Sequence, residues 1–252
     1  MWNGDYGFLL RNLIGKDFKV RYRNMSLGMF WSLLNPLITM GILTVVFTRF
    51  MPNSSIKNYP LFFLCGLVPY NFFVLAWSTG TSSLADNTNL IKRVSVPREI
   101  IPISTVLGNS LHLLIQIALL LAFALFGGGS LNRYWLWLPL IWTMEVALVC
   151  GLSLVSSAVN VYVRDTRYVV ESFNAVLFWL VPIVYPPPGP QYRRLFELNP
   201  VAALVFALRD ILLEGHAPGA VLLTKLSLGS IAVLAIGLLA FRRMKRNFYD
   251  YL

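Results

Sequence analysis

Glu145 is the one carboxylate deep inside a long apolar stretch of this chain, and the two histidines, His112 and His216, stand far apart in sequence. A charge at such a position costs upward of about 2.5 kcal/mol on membrane-insertion scales unless it is paired or hydrated, so Glu145 is expected to face other helices or a cavity. His112 and Gln116, one helical turn apart, are its candidate partners. One Glu and one His make a thin proton relay, which favours a buried structural hydrogen bond. An enzyme needs a nucleophile or acid–base group with an orienting partner, and apart from Glu145 the apolar segments supply no such acid. Cys65 and Cys150 lie within apolar runs, so neither a disulfide framework nor a zinc site is indicated. No Gly-x-x-x-x-Gly-Lys-Ser/Thr loop is present to cradle a phosphate.

The segments that must carry these residues are those of a bilayer protein. Of 252 residues, 57% are hydrophobic and only 13% charged, with a mean hydropathy of +0.65. A soluble surface needs roughly 25% charged residues. The formal charge of +10 is read as orientation and lipid-headgroup charge, not as a nucleic-acid footprint. Residues 1–23 lack the pattern of a cleaved signal peptide, because their charges run throughout.

Uncharged runs long enough to cross about 30 Å of hydrocarbon predict spans at Asn24–Thr48, Asn58–Ala85 and Ile100–Asn132. A fourth is expected over about Tyr134–Tyr162. A fifth is expected over about Ser172–Tyr185, with Tyr168–Val170 completing it and the following proline run ending it. A sixth covers about Ala220–Phe241. Residues 186–219 open with Pro-Pro-Pro-Gly-Pro and contain an apolar run, Leu198–Leu208, too short to cross, so they read as a re-entrant helix-turn-helix with Asn199-Pro200 starting its second helix. The fold class is therefore an all-α polytopic membrane protein: six spans, an N-terminal amphipathic helix, and a re-entrant segment between spans five and six, in one domain over 1–252. Fourteen of the 21 Lys and Arg fall on the side of both termini, which the positive-inside rule makes cytoplasmic. Ala147 with Gly151, and Ser153 with Ser157, are small residues at i,i+4 suited to close helix packing.

Residues 5–23 are too charged to insert. At 100° per residue Tyr6, Leu10, Leu13, Ile14 and Phe18 share one side and Asn12, Lys16, Lys19 and Arg23 the other, the pattern of an interfacial helix over 1–24. Asp17 and Arg21 fall in the apolar sector at i,i+4 spacing, where they can pair. The connection over 86–99 mixes charge with Leu90 and Ile91 and reads as a short exposed helix or a solvated connector.

In this order and spacing, several short stretches resemble the membrane subunit of type-2 ABC exporters, in particular those for O-antigen, capsule and teichoic-acid polysaccharides. They are Lys16-Asp17-Phe18-Lys19-Val20-Arg21-Tyr22-Arg23, Leu27-Gly28-Met29-Phe30-Trp31, Asn35-Pro36-Leu37, Asn89-Leu90-Ile91-Lys92 and Pro97-Arg98-Glu99 with Pro102. Arg164-Asp165, Asn199-Pro200, Arg209-Asp210 and Phe248-Tyr249-Asp250 complete the set, which spans nearly the whole chain. The chain departs from the pattern at Val96, where the family carries an aromatic.

The resemblance implies a homodimer of six-helix subunits in the bacterial inner membrane, working with two ATP-hydrolysing ABC subunits and a lipid-linked polysaccharide substrate. ATP and Mg would be bound by that partner, and no cofactor by this chain. It also implies that residues 86–99 form the coupling helix, through Asn89, Leu90, Ile91, Lys92, Arg98 and Glu99. The interface helix would use Lys16, Asp17, Lys19, Arg21 and Arg23. A polysaccharide conduit needs flat amphipathic surfaces, which aromatic rings supply. Channel-lining candidates are Phe30, Trp31, Tyr70, Phe73, Trp77, Phe178, Trp179 and Tyr185, with Phe72 and Phe173 beside them. Asn35-Pro36 is the candidate gate hinge, since proline frees a carbonyl and bends the helix. Rival readings are a drug or lipid exporter of the same superfamily and a membrane enzyme acting on lipid-linked sugar.

Overall fold

The computed structural model describes residues 6–22, 30–50, 56, 58–93, 96–127, 132–187, 189–245 and 248. Helix α1 covers Tyr6–Tyr22, and α2 covers Trp31–Val45 and continues as a π-helical turn, Val46–Phe50. Then come α3 (Tyr59–Asp86), α4 (Thr88–Arg93) and α5 (Ile100–Phe126). A 3-10 turn at Arg133–Trp137 leads into α6 (Leu138–Tyr162), followed by α7 (Thr166–Leu180), α8 (Pro190–Phe196), α9 (Pro200–Leu212) and α10 (Ala220–Met244). Among the described residues there is no strand.

Punctuation in the sequence sets these limits. Asn58 takes a left-handed conformation, φ 54°, ahead of Pro60 in the first turn of α3, and Asn sits in that region at less cost than a branched residue. The Asn132 side chain accepts from Tyr134 N at 2.9 Å, opening the 3-10 turn. Asn199 does the same for Val201 N at 3.0 Å, with Pro200 in the first turn of α9, as expected of that pair.

Among the described residues five helices are long and apolar enough to cross a membrane: Trp31–Phe50, Tyr59–Asp86, Ile100–Phe126, Arg133–Tyr162 and Ala220–Met244. The expected fifth span is corrected in its limits. Helix α7 starts earlier, at Thr166, and stops at Leu180 after 15 residues, about 22 Å at 1.5 Å per residue. Pro182 is the reason, because a residue before proline is driven from the helical region, and Val181 sits at φ −96°, ψ 130°. The proline run from Pro186 comes after the helix has already ended.

The long helices alternate in direction and define two ends. At the near end α1 packs on α5 and bonds Asn87 just past α3, the Tyr162 hydroxyl donates to Met244 O at 2.6 Å, and Phe248 closes a cluster with Leu84, Ile101, Leu154 and Phe241. At the far end the start of α3 meets the end of α5, where a Cβ on Gly127 would fall 2.6 Å from Asn58 Nδ2. Helix α9 lies there too, every residue of it from Val201 to Leu212 buried.

Between lipid-immersed helices, apolar burial gives little net drive, so close backbone approach and interhelical hydrogen bonds hold the bundle. Helix α3 is the hub. Thr81 and Trp77 both bond Ser156 Oγ on α6, at 2.7 and 3.2 Å. Thr79 Oγ1 accepts from Asn109 Nδ2 on α5 at 2.8 Å, and Ser78 Oγ from Asn174 Nδ2 on α7 at 3.2 Å. Gly80 abuts Ser153, and Gly151 on α6 abuts Gly237 on α10 so closely that a Cβ on Gly237 would collide with Gly151 O. Two of the small residues picked from the sequence, Gly151 and Ser153, are thus contact points, each facing a different helix.

Candidate functional site

The residues singled out above fall at the two ends of the bundle and midway between them, some exposed and some buried. At the near end, α1 buries Leu13 while Tyr6 and Phe8 stay exposed. Lys16 Nζ donates to Asn87 Oδ1 at 2.7 Å, and Asp17 Oδ2 accepts from Thr105 Oγ1 at 3.3 Å. Asp17 therefore joins α1 to α5. The expected Asp17–Arg21 pair involves a side chain outside the described residues, as does Arg23. Lys19 lies on the exposed outer side of α1. A cleft of about 390 Å³ runs between α1 and the helices beneath it, lined by Lys16, Asp17, Ser82, Asp86, Asn87 and Asn109 among others.

Helix α4 follows α3 after Asn87 alone, and the Asn87 side chain donates to Ser83 O at 2.8 Å, tying the joint back to α3. The six coupling candidates divide in two. Asn89 and Lys92 are exposed and Leu90 half-buried, while Ile91 packs with Val96 against the near-end cluster. Arg98 donates to Lys245 O at 3.1 Å and lies 5.8 Å from the Phe248 ring, and Glu99 pairs with Lys245 at 3.2 Å. Arg98 and Glu99 thus hold the C-terminal segment. The aliphatic Val96 fills the place where an aromatic was expected, inside this cluster.

The aromatic candidates also separate. Phe30, Trp31 and Trp179 are exposed, Tyr185, Trp77 and Phe178 half-buried, and Tyr70 and Phe73 buried inside the subunit. The rings interlock between α3 and α7, Tyr70 with Phe178 at 5.4 Å and Trp77 with Phe173 at 5.6 Å, and within α7 Phe178 meets Trp179 at 5.3 Å. The Tyr70 hydroxyl donates to the Asn174 carbonyl. Phe72 is also buried.

Midway through the bundle, Pro36 is buried inside α2, which continues beyond it. Lacking an N–H, Pro36 leaves the carbonyl of Ser32 without its helical donor. Gln116 Nε2 supplies one at 3.4 Å, while Ser32 Oγ contacts His112 Nδ1 at 2.8 Å and Gln116 Nε2 contacts His112 Nε2 at 3.2 Å. An open cavity of about 610 Å³ adjoins this cluster, lined also by Asn35, Tyr70, Asn71 and Thr79. His112 and Gln116 therefore serve α2, not Glu145. Glu145 is fully buried, and neither of its oxygens has a hydrogen-bond partner among the described residues.

At the far end the acidic and basic side chains are organised more than the sequence suggested. Arg193 Nη2 bonds both oxygens of Asp210, at 2.6 and 2.8 Å, and its Nε reaches Glu197 at 3.4 Å. Arg209 is 4% exposed, stacks 3.5 Å from the Phe62 ring centre, and donates to Phe62 O and Ile183 O. From the sequence, Arg193, Arg194, Arg209, Asp210 and Glu214 are charges around the re-entrant segment that either guide an anionic or hydroxyl-rich chain outward or pair at the headgroups. The overlooked signal is that Pro200–Leu208 is apolar on every side, the pattern of a wholly buried helix. His216 contacts Glu214 at 2.7 Å, and a hydrogen bond with Ala217 O, helped by Glu214, raises its pKa from the ordinary 6.5.

Residues 9–213 match the ABC-2 type transporter family. The chain is 30% identical over 247 residues to the O-antigen export system permease protein RfbA of Klebsiella pneumoniae, covering 97% of this chain and 95% of that protein. It is 27% identical over 249 residues to RfbA of Myxococcus xanthus, with the same coverage. To the polysialic acid transport protein KpsM of Escherichia coli it is 26% identical over 238 residues, 90% of each.

Proposed function

Because the chain belongs to the ABC-2 type transporter family, we propose that it is the permease subunit of an ATP-driven polysaccharide exporter, with lipid-linked O-antigen or a related capsule or teichoic acid as cargo. One observation carries this: end-to-end similarity to O-antigen export permeases over 97% of the chain. The polysialic acid transport protein, at lower identity, supports the broader class of surface polysaccharides.

The machine works in the bacterial inner membrane with both termini cytoplasmic. That orientation is supported by the near end, which carries α1, the C-terminal segment and Lys92, Arg98, Arg164, Arg167, Arg242, Arg243 and Lys245. In this reading α7 and the extended residues after it make the fifth crossing of six, and α8 and α9 are the re-entrant pair between it and α10. ATP and its magnesium bind a separate ABC subunit that docks at the near end. Exposed Asn89 and Lys92 on α4 receive it, and α4 transmits displacement through the Asn87 joint into α3, the hub of the bundle. Two copies of the permease meet across the outward faces of α2 and α7, where Phe30, Trp31, Trp179 and Tyr185 offer aromatic faces to a passing sugar chain.

Depletion in the native host, followed by fractionation, should leave full-length lipid-linked polysaccharide on the cytoplasmic face of the inner membrane. Unchanged surface glycan with altered drug or lipid efflux would overturn the cargo assignment. Coupling is tested by Lys92→Glu and by deletion of 89–92. Export should fall at least about tenfold, as docking loses on the order of 1.4 kcal/mol, with ATP hydrolysis retained and normal insertion. Lys92 is preferred to Arg98, whose reversal would also release the C-terminal segment. Normal export from either variant would refute coupling through α4.

A further inference from the structure

The far end contains a cation that the protein leaves without a counter-charge. Arg209 has 4% of its surface exposed, yet no carboxylate pairs with it among the described residues, and its Nη1 has no hydrogen-bond partner. Each neighbouring acid is engaged elsewhere: Asp210 by Arg193, Glu214 by His216, and Glu197 by Arg193 with Lys225 4.0 Å away. The guanidinium is nonetheless held rigidly. Nε and Nη2 donate to Phe62 O at 3.3 Å, Nη2 also to Ile183 O at 2.9 Å, and its plane lies over Phe62. Backbone carbonyls fix its direction and contribute only partial negative charge. Burying a charge so incompletely compensated is costly.

Arg209 lines a cavity of about 560 Å³, open on one side, together with Arg193, Phe62, Phe206, Pro186 and Glu214. Two guanidiniums therefore border one space that Asp210 also lines, Arg193 holding both oxygens of Asp210 through Nη2 and Arg209 carrying a buried Nη1 with no partner among the described residues. A planar guanidinium fork matches the oxygens of a phosphate, and the apolar walls strengthen the attraction by excluding water. The phosphates available at the end of a membrane bundle belong to lipids.

We infer that this cavity is a binding site for a phosphate ester or diphosphate at the far end of the bundle, with Arg209 as its principal cation. The group comes either from a phospholipid headgroup or from the carrier lipid of the exported glycan. The second source rests on the export reading above, whereas the site itself does not. Glu214, exposed at the rim, opposes occupancy by its charge. Arg193 acts through Asp210, keeping that carboxylate off Arg209.

The test is titration of inorganic diphosphate into the full chain purified in a phosphate-free maltoside detergent, followed by calorimetry. Saturable binding is expected, weakened at least about tenfold by Arg209→Gln, because a charge-assisted hydrogen bond to a buried cation is lost. Since Arg209→Gln also removes bonds to Phe62 O and Ile183 O, Glu214→Gln supplies an independent variant at an exposed position. It should tighten binding by about threefold through loss of like-charge repulsion. Phosphatidylglycerol in the micelle that competes with diphosphate identifies the headgroup as the source. Its failure to compete, with binding retained, identifies the carrier diphosphate. No saturable binding by the natural chain, or equal binding by Arg209→Gln and Glu214→Gln, overturns the site. Neither of these results would touch the export assignment, which the depletion experiment decides by itself.

Discussion

Helices α2 and α3 have nearly the same mean hydropathy, 1.6 and 1.7, yet 11% of the first span is buried against 78% of the second. Composition made both insert. What separates them is the small and hydroxylated residues of α3: Gly80 against Ser153, Thr81 against Ser156, Thr79 against Asn109, Ser78 against Asn174. Helix α2 has far fewer such handles, and Trp31, Leu34, Ile38, Ile42 and Val45 face outward. In a solvent as apolar as the side chains, burial follows packing shape and hydrogen bonds, and apolarity alone decides only membership of the bilayer.

The strongest way to break this contrast is to put bulk at its glycines. Gly151→Leu or Gly237→Leu must force two backbones apart, an overpacking cost on the order of 3 kcal/mol, and should leave little folded protein on size-exclusion of detergent extracts. A Cβ on Gly41 of α2 would meet nothing within 4 Å, so Gly41→Leu should unfold within about 0.5 kcal/mol of the natural chain. Next in size is removal of rings. Phe73→Ala, at 2% exposure, should lower subunit stability by about 3 kcal/mol. Trp31→Ala, half exposed, should cost under about 1 kcal/mol while still reducing export; export at natural levels would remove Trp31 from the conduit.

The smallest effect belongs to the far-end rim. The raised pKa of His216 means that its charged contact with Glu214 contributes fully below 6.5 and fades as pH rises through the elevated folded value. An imidazole titration by NMR should show a midpoint above 6.5 that Glu214→Gln lowers. No change on that substitution would confine the shift to the Ala217 carbonyl.

Element limits were legible where the sequence punctuates them. Asn58, Asn199-Pro200 and two of the small residues on the fourth span, Gly151 and Ser153, acted in the structure as their chemistry dictates. The end of α7 was misread because the conspicuous prolines from Pro186 drew attention from Pro182, which acts on Val181 four residues earlier. The partner of Glu145 was misassigned for a different reason. His112 and Gln116 share a helix face, but a face does not reveal which neighbour it meets, and the donor-less carbonyl created by Pro36 was the stronger claimant. Burial of Arg209 likewise depended on α9 being enclosed on all sides, a tertiary fact that its apolar run only hints at. Among the aromatic candidates, sequence supplied the ring types, and packing between α3 and α7 decided which rings the subunit consumed internally.

In an unbroken helical ladder every carbonyl already accepts one backbone N–H, so a neighbour that bonds it must share an occupied oxygen. Pro36 turns one carbonyl of α2 into a catch that α5 engages from outside. Each of these bonds is worth only about 1 kcal/mol, and release strands just the few polar groups that adjoin the roughly 610 Å³ cavity. Helix α2 is therefore latched to the bundle at mid-height by two weak contacts, from Gln116 to the Ser32 carbonyl and from His112 to the Ser32 hydroxyl.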